Sequence, residues 1–260
     1  MPETARETVE PGDADFHLVI PCFKESGRLP AYLHELVGAL AAATFRVQIL
    51  VVDDGSGPRE QDGLRTITTA ADGPAVRVAC ACLPSNMGKG FAVRYGWNQA
   101  GSARWVAFAD ADGATPAYEV LRVFEAAYQA DDVNRCYLGS RVKMLGRSVD
   151  RRWKRHVIGR LYATLVSNAI DASIYDSQCG FKVIPTPAFA RISGLLREDR
   201  FAFDVELITA LTSAGYTLEE VAIDWTDVPG SKVSLIRDSV RMLRSLFMIR
   251  SRKQRGEYHS

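Results

Sequence analysis

No apolar run in the sequence approaches the roughly 20 residues that a membrane-spanning helix requires. The opening stretch, MPETARETVEPGDAD, has neither a basic start nor an apolar segment, so no secretory signal is expected. Charge of one sign is missing too: 32 Lys and Arg stand against 31 Asp and Glu, a formal net charge of +1. That balance removes the broad basic field by which a protein holds nucleic acid, and no nucleic-acid partner is expected. Cysteine is scarce and odd in number, with Cys22, Cys80, Cys82, Cys136 and Cys179 scattered along the chain. Cys80 and Cys82 alternate along a strand-like run, and no second pair follows at zinc spacing. They read as reduced core thiols of a cytoplasmic protein. Histidine is rare as well. His17, His34 and His156 lack a partner at metal spacing and His259 lies in the tail, so all four read as packing or surface residues. Neither an internal repeat nor a low-complexity segment is present.

What remains is a chain of 260 residues, 47% of them hydrophobic, enough to bury the core of one large α/β domain. Residues 1–14 read as a flexible tail. FHLVIPCF is a first strand, and a helix follows over Pro30–Ala43 with Leu33, Leu36, Val37 and Leu40 on one face. FRVQILVVDDGSG is a second strand running into a turn, AVRVACACL a third, and GKGFAVRYGWNQAG a helix that stops at Gly101. RWVAFADADG is the fourth strand, followed by a helix from Pro116 to Ala130. Strands alternating with helices predict a Rossmann-like, mostly parallel central sheet with helices on both faces. Ligands of such sheets sit beyond the carboxyl ends of the strands. Pro21, Asp53, Asp54, Asn86, Asp110 and Asp112 all fall at those ends. In the second half, RCYLGSRV reads as a strand, Asp150–Asp171 as a long basic helix, and YDSQCGFKVIP as a turn and strand. FAFDVELITALTSAG reads as a helix and YTLEEVAIDWTDV as one alternating strand before the loop PGSKVS. A last helix is expected from about Ser234 to Ile249.

The sharpest feature is Asp110-Ala111-Asp112 at the end of a buried strand. Side chains two apart in an extended chain face the same way, so both carboxylates can address one ligand. A hard cation such as Mg²⁺ takes one or two protein carboxylates and completes its shell with water and phosphate oxygens. Two solvated turn aspartates are the plain alternative, but Asp53 and Asp54 at a neighbouring strand end favour the ligand. An EF-hand is excluded, because loop positions six and twelve are Thr115 and Leu121 rather than Gly and Glu. A haloacid-dehalogenase-like phosphotransferase with Asp110 as nucleophile is a competing reading. It fits less well, since Ala114 stands where Thr or Val is usual and three strands come before.

The stretches VIPCFKESGRLP, VVDDGSG, NMGKGFAVRYG, FADADGAT, LGSRV, DSQCGFKVI, FAFDVELI and VAIDWTDVPGSKV occur in the order found in family 2 glycosyltransferases. From Phe16 to Arg252 the chain most resembles the dolichyl-phosphate β-glucosyltransferase branch and its polyprenyl-phosphate relatives. The resemblance implies a GT-A fold over residues 15–253, with a nucleotide-sugar-binding half at 15–115 and an acceptor-binding half at 116–233. It also implies a UDP-sugar donor, with glucose as the sugar, Mg²⁺ or Mn²⁺ as cofactor, and inversion at the sugar carbon. Donor-binding residues carried over are Pro21, Cys22, Glu25, Asp53, Asp54, Asn86, Lys89, Gly90, Asp110 and Ala111. Asp53 would accept from uracil, Asp110 would face the ribose and metal, and Asp112 would hold the metal.

The acceptor decides what further chemistry is needed. A hydroxyl needs a general base, for which Asp204 is the candidate, with Glu206 read as structural. A phosphate monoester is already a nucleophile near neutrality and needs cationic clamps instead. Arg141, Arg151 and Arg152 offer such clamps, with Arg141 at a strand end; Gln178 and Lys232 match family positions beside the acceptor. The expected catalytic set is therefore Asp112, Arg141 and Asp204, and the expected acceptor a polyprenyl phosphate. A soluble hydroxyl compound is the alternative, and a nucleotide-sugar-binding module without turnover stands outside catalysis. Residues 234–253 form an amphipathic basic helix, with Ile236, Val240, Leu243 and Phe247 on one stripe and Arg237, Arg241 and Arg244 beside it. Either that apolar stripe packs on the sheet, or the helix lies on an anionic membrane, which would make the protein peripheral at the inner face.

Overall fold

Apolar runs with no polar interruption become the central strands. The computed structural model describes residues 14–142, 149–150, 174–228 and 235–259. Strands β1 (Phe16–Cys22), β2 (Val47–Asp53), β3 (Val76–Cys82) and β4 (Trp105–Ala109) are linked by helices α1 (Leu29–Leu40), α2 (Pro58–Ala71) and α3 (Lys89–Trp97). Every residue of β2 and β4 is buried, as strands covered on both faces must be. Alternate residues feed two cores. Val19, Leu50, Val52, Val106 and Phe108 pack with α3, while Leu18, Ile20, Ile49, Val51 and Ala107 pack with α1 and α4 (Ala117–Ala130).

The sheet has seven strands in the order β3-β2-β1-β4-β7-β5-β8, with β5 at Arg135–Ser140, β7 at Phe181–Pro185 and β8 at Thr217–Ala222. The chain builds outward from β1 to β3, then crosses back through α3 to lay β4 on the other side of β1. The switch in direction opens a crevice at the carboxyl ends of β1 and β4, where such folds bind ligands. Strand β7 runs antiparallel between β4 and β5. Its start continues the pairing by one residue, the Asp110 N–H donating to the Gly180 carbonyl at 2.9 Å. That antiparallel insertion carries the stretch Ser177–Gly180 to the carboxylate pair.

Several elements differ from the sequence reading. Helix α2 was not expected. Its sequence, PREQDGLRTITTAA, is polar and buries only Leu64 and Thr68, so few apolar residues mark it. Helix α5 (Thr186–Ile192) is too short to show a period. Val149–Asp150 is a two-residue strand (β6) paired with β9 (Trp225–Thr226), rather than the start of a helix. The rest of the expected basic helix, over 151–171, lies outside the described residues. The expected strand through 217–228 divides into β8 and β9, because Ile223 turns inward to full burial between them. Helix α6 spans Phe203–Ser213, and the last helix, α7, runs Leu235–Gln254, five residues past the expected end.

Candidate active site

Asp53 closes β2 and is fully buried. Its Oδ2 accepts from the Ser56 N–H (2.9 Å) and the Gln61 side-chain amide (3.0 Å). Its Oδ1 is buried and has no hydrogen-bond partner among the described residues. A buried acceptor without a donor is costly, and a donor arriving with a ligand would relieve that cost. Asp54, one residue on, does different work. Its carboxylate accepts from the Asn86 amide (2.9 Å), the Met87 N–H (2.6 Å) and the Gly88 N–H (2.9 Å). Burial pushes its pKa up, and the Met87 and Gly88 N–H groups partly offset that. Asp54 and Asn86 thus tie down the loop that opens α3. Gly88 has φ +111°, and a Cβ there would overlap the Asp199 carbonyl oxygen, so only glycine allows this approach.

The tied loop delivers Lys89 as the first residue of α3. Its ammonium lies 2.9 Å from Asp110 Oδ1 and 3.6 Å from Asp204 Oδ2, over the Phe108 ring. Burial opposes its charge, but Asp110 and Asp204 more than offset this, and its pKa is raised. Asp204, at the start of α6, also pairs with Lys182, which is fully buried in β7 and donates to the Cys179 carbonyl at 2.8 Å. The result is a chain Lys182–Asp204–Lys89–Asp110 running from the interior to the sheet edge. The other oxygen of Asp110 lies against Gly180, where a Cβ would overlap the carboxylate. Gly90 packs as closely on Phe203, which sets α3 against α6.

Asp112 turns away from this chain. Its Oδ1 accepts the Ala114 N–H at 3.1 Å, and burial and the Asp110 charge raise its pKa. Ala111 between them is buried. Beneath the turn, the Tyr32 hydroxyl is buried without a partner among the described residues, and burial, then Asp112 and Asp110, pushes its pKa up. On the β1 side, Pro21 and Cys22 pair in register with Val52 and Asp53. Glu25 takes a two-pronged contact from Arg28, both at 2.7 Å, and that contact and the field of Asp112 raise the arginine's pKa.

Arg141 leaves the end of β5 and grips Asp176 through Nε (2.6 Å), a terminal nitrogen (2.7 Å) and its own N–H (2.9 Å), with Trp225 beneath its plane. The guanidinium is therefore held rigidly. The Gln178 Nε2 is buried without a hydrogen-bond partner among the described residues. Glu206 faces away from the site. It accepts from the Arg197 and Glu198 N–H groups, the Tyr258 hydroxyl and Arg252. His17 is buried between the Gly96 carbonyl and Gln48, its pKa pushed down to about 4 by burial. Arg151, Arg152 and Lys232 lie outside the described residues.

A profile of glycosyl transferase family 2 matches residues 17–192. The chain belongs to that family. This glycosyltransferase is 32% identical over 249 residues to a dolichyl-phosphate β-glucosyltransferase of Drosophila melanogaster, covering 90% of this chain and 74% of the relative. The enzymes of the same name from Mus musculus and Saccharomyces cerevisiae are each 30% identical, covering 93% of this chain and 76% and 75% of theirs. Among solved structures, mannosyl-3-phosphoglycerate synthase from Rubrobacter xylanophilus superposes with a TM-score of 0.67 at 17% identity, over 94% of this chain and 75% of that one. Glucosyl-3-phosphoglycerate synthase from Mycobacterium tuberculosis, with Mn²⁺, UDP-glucose and phosphoglyceric acid, gives 0.64 at 11% identity, over 92% and 80%. These place the sheet among GT-A glycosyltransferases, as the motif order predicted. The phosphotransferase reading of Asp110 falls away with them.

Of the glycosyltransferase's two carboxylates, Asp112 suits a small divalent cation, while Asp110 is paired with Lys89. Its donors are hard oxygens, and the charge of Asp110 weighs on Asp112. Among the described residues no group of three or more His, Cys, Asp or Glu gathers to hold a metal. The remaining positions of such an ion would fall to phosphate oxygens and water. Four residues of the site escaped the sequence reading: Arg28, Tyr32, Asp176 and Lys182. Lys182 had a signal, since a charged residue inside the apolar run GFKVIP needs a buried counter-charge. Gly180→Ala is expected to push Asp110 off Lys89 and slow transfer about a hundredfold with the fold kept. Steady-state rates beside a thermal melt check this; an unchanged rate would show that the position of Asp110 is immaterial.

Proposed function

We propose that the protein transfers glucose, with inversion, from UDP-glucose to a polyprenyl phosphate, using Mg²⁺ or Mn²⁺. The observation that carries the acceptor is the state of Asp204. Asp204, the candidate base for a hydroxyl, is spent between Lys182 and Lys89. A phosphate monoester has no need of a base, because its second pKa of about 6 leaves it ionised at neutral pH. It needs fixed cations, and Arg141, held flat by Asp176, is such a group. The names of the relatives support the same acceptor.

On the donor side, the buried Asp53 Oδ1 matches the N3–H of uracil. Arg28 and Glu25 close the crevice beside it, Lys89 lies where a diphosphate would pass, and Asp112 would hold the cation. When bound, that ion supplies positive charge against the leaving diphosphate. Lys89 adds a second cation there, fixed in place before substrate arrives. We place the protein at the cytoplasmic face of a membrane, where a lipid-linked acceptor and a cytoplasmic nucleotide sugar meet.

Two measurements test this. Transfer from UDP-glucose to a short-chain polyprenyl phosphate should far exceed transfer to simple alcohols; the reverse order would overturn the acceptor. Asp53→Asn should weaken UDP binding roughly ten- to a hundredfold. The new amide, with its oxygen still accepting from Ser56 and Gln61, presents an N–H where uracil also has one. Cytosine has an acceptor at that place, so the UDP-over-CDP preference measured by calorimetry should narrow or invert. A variant that keeps the wild-type preference would remove Asp53 from base recognition.

A further inference from the structure

We infer that the outward face of α7 is a docking surface for an anionic lipid bilayer. The inference rests on the reading that the acceptor is lipid-linked. The helix has two unlike faces. Its inner face buries Leu246 and Ile249 in the core, and Arg252 reaches Glu206 within it. Its outer face leaves Phe247 71%, Met248 44% and Leu243 36% exposed. The stripe read from the sequence therefore does not pack on the sheet at Leu243 and Phe247. It points outward there.

Around these apolar side chains stand Arg241, Arg244 and Arg250, all exposed, and none of the three forms an ion pair with another described residue. An apolar centre rimmed by cations that pair with none of the described residues complements lipid tails below anionic headgroups. A partner protein with an apolar groove would not need so many arginines, and a purely acidic one would not need Phe247.

The surface is also joined to the site. Ser245, on α7, donates to Glu198 at 2.9 Å, and the carbonyl of Asp199 accepts the Phe91 N–H at 3.0 Å in the first turn of α3. That turn begins with Lys89. A bilayer under α7 would thus be joined, through Glu198 and Asp199, to the turn that presents Lys89.

The full chain should be sedimented with vesicles of phosphatidylcholine alone and with added phosphatidylglycerol. Binding should be at least about tenfold stronger to the anionic vesicles and should fall with salt. Phe247→Glu, and separately Arg241→Gln with Arg244→Gln, should each weaken it about tenfold. Both variants change exposed side chains, so their melting temperatures and UDP affinity should match the wild type. Transfer to a short-chain polyprenyl phosphate in solution should be unchanged, while transfer to a long-chain acceptor in vesicles should fall about tenfold. Vesicle binding indifferent to Phe247→Glu, or no binding by a wild type active on the short-chain acceptor, would overturn the docking surface and leave the reaction standing. Loss of transfer to every polyprenyl phosphate by the wild type would instead overturn the reading beneath it.

Discussion

Asp112→Ala is expected to lower glycosyl transfer about a thousandfold, the scale on which a preorganised charge at a leaving group acts. The reason lies in how the two carboxylates are divided. Lys89 already neutralises Asp110 at 2.9 Å, and Gly180 closes the other side of that carboxylate. Asp112 keeps its charge for a ligand, at a position where burial and Asp110 make that charge costly. Removing Asp112 takes away the group best placed to hold a cation, while Asp110 stays committed to lysine. The fold should survive, since Asp112 bonds only the local Ala114 N–H among the described residues. Calorimetric titration of Mn²⁺ in the presence of UDP gives a readout independent of turnover. The alanine variant should show no uptake. Uptake equal to the wild type, or transfer within tenfold of it, would mean that the cation is held elsewhere.

The second large effect falls on stability. Asp204→Asn should cost about 3–5 kcal/mol, because it strands the fully buried Lys182 without a counter-charge. A general base would behave differently: its amide would fold normally and lose transfer to hydroxyl acceptors alone. Urea unfolding of Asp204→Asn, Lys182→Met and the pair together separates the two roles. The double variant should recover most of the loss, since it removes both charges from the interior. Full stability in Asp204→Asn, with activity gone, would return Asp204 to the role of base and reopen the hydroxyl acceptor.

Much of this site was visible as letters. Pro21, Asp53, Asp110 and Asp112 sit at strand ends, and strand ends of a parallel sheet converge, so their meeting followed from the alternation of strands and helices. Asp54 and Asn86 were in the right place, but both tie a loop together. One-dimensional spacing does not distinguish a carboxylate that faces a ligand from one that turns back to cap N–H groups. Tyr32 stood in the stretch read as the first helix and Arg28 just before it, with no signal that they border Asp112. Helix α2 was lost because a helix lying on the outside of α/β layers with two buried residues offers few apolar letters to mark it.

The sequence by itself determined the class of fold, the family and the crevice edge, because each depends on local pattern: apolar runs, turns and carboxylates at strand ends. Only the tertiary structure decided which charges meet. Lys182 and Asp204 are separated by more than twenty positions, and Lys89 by about ninety more, and only the antiparallel placing of β7 brings them together. The same holds for α7. An amphipathic helix has a period but no address, and which face it buries depends on Leu246 and Ile249 finding the core before Phe247 does.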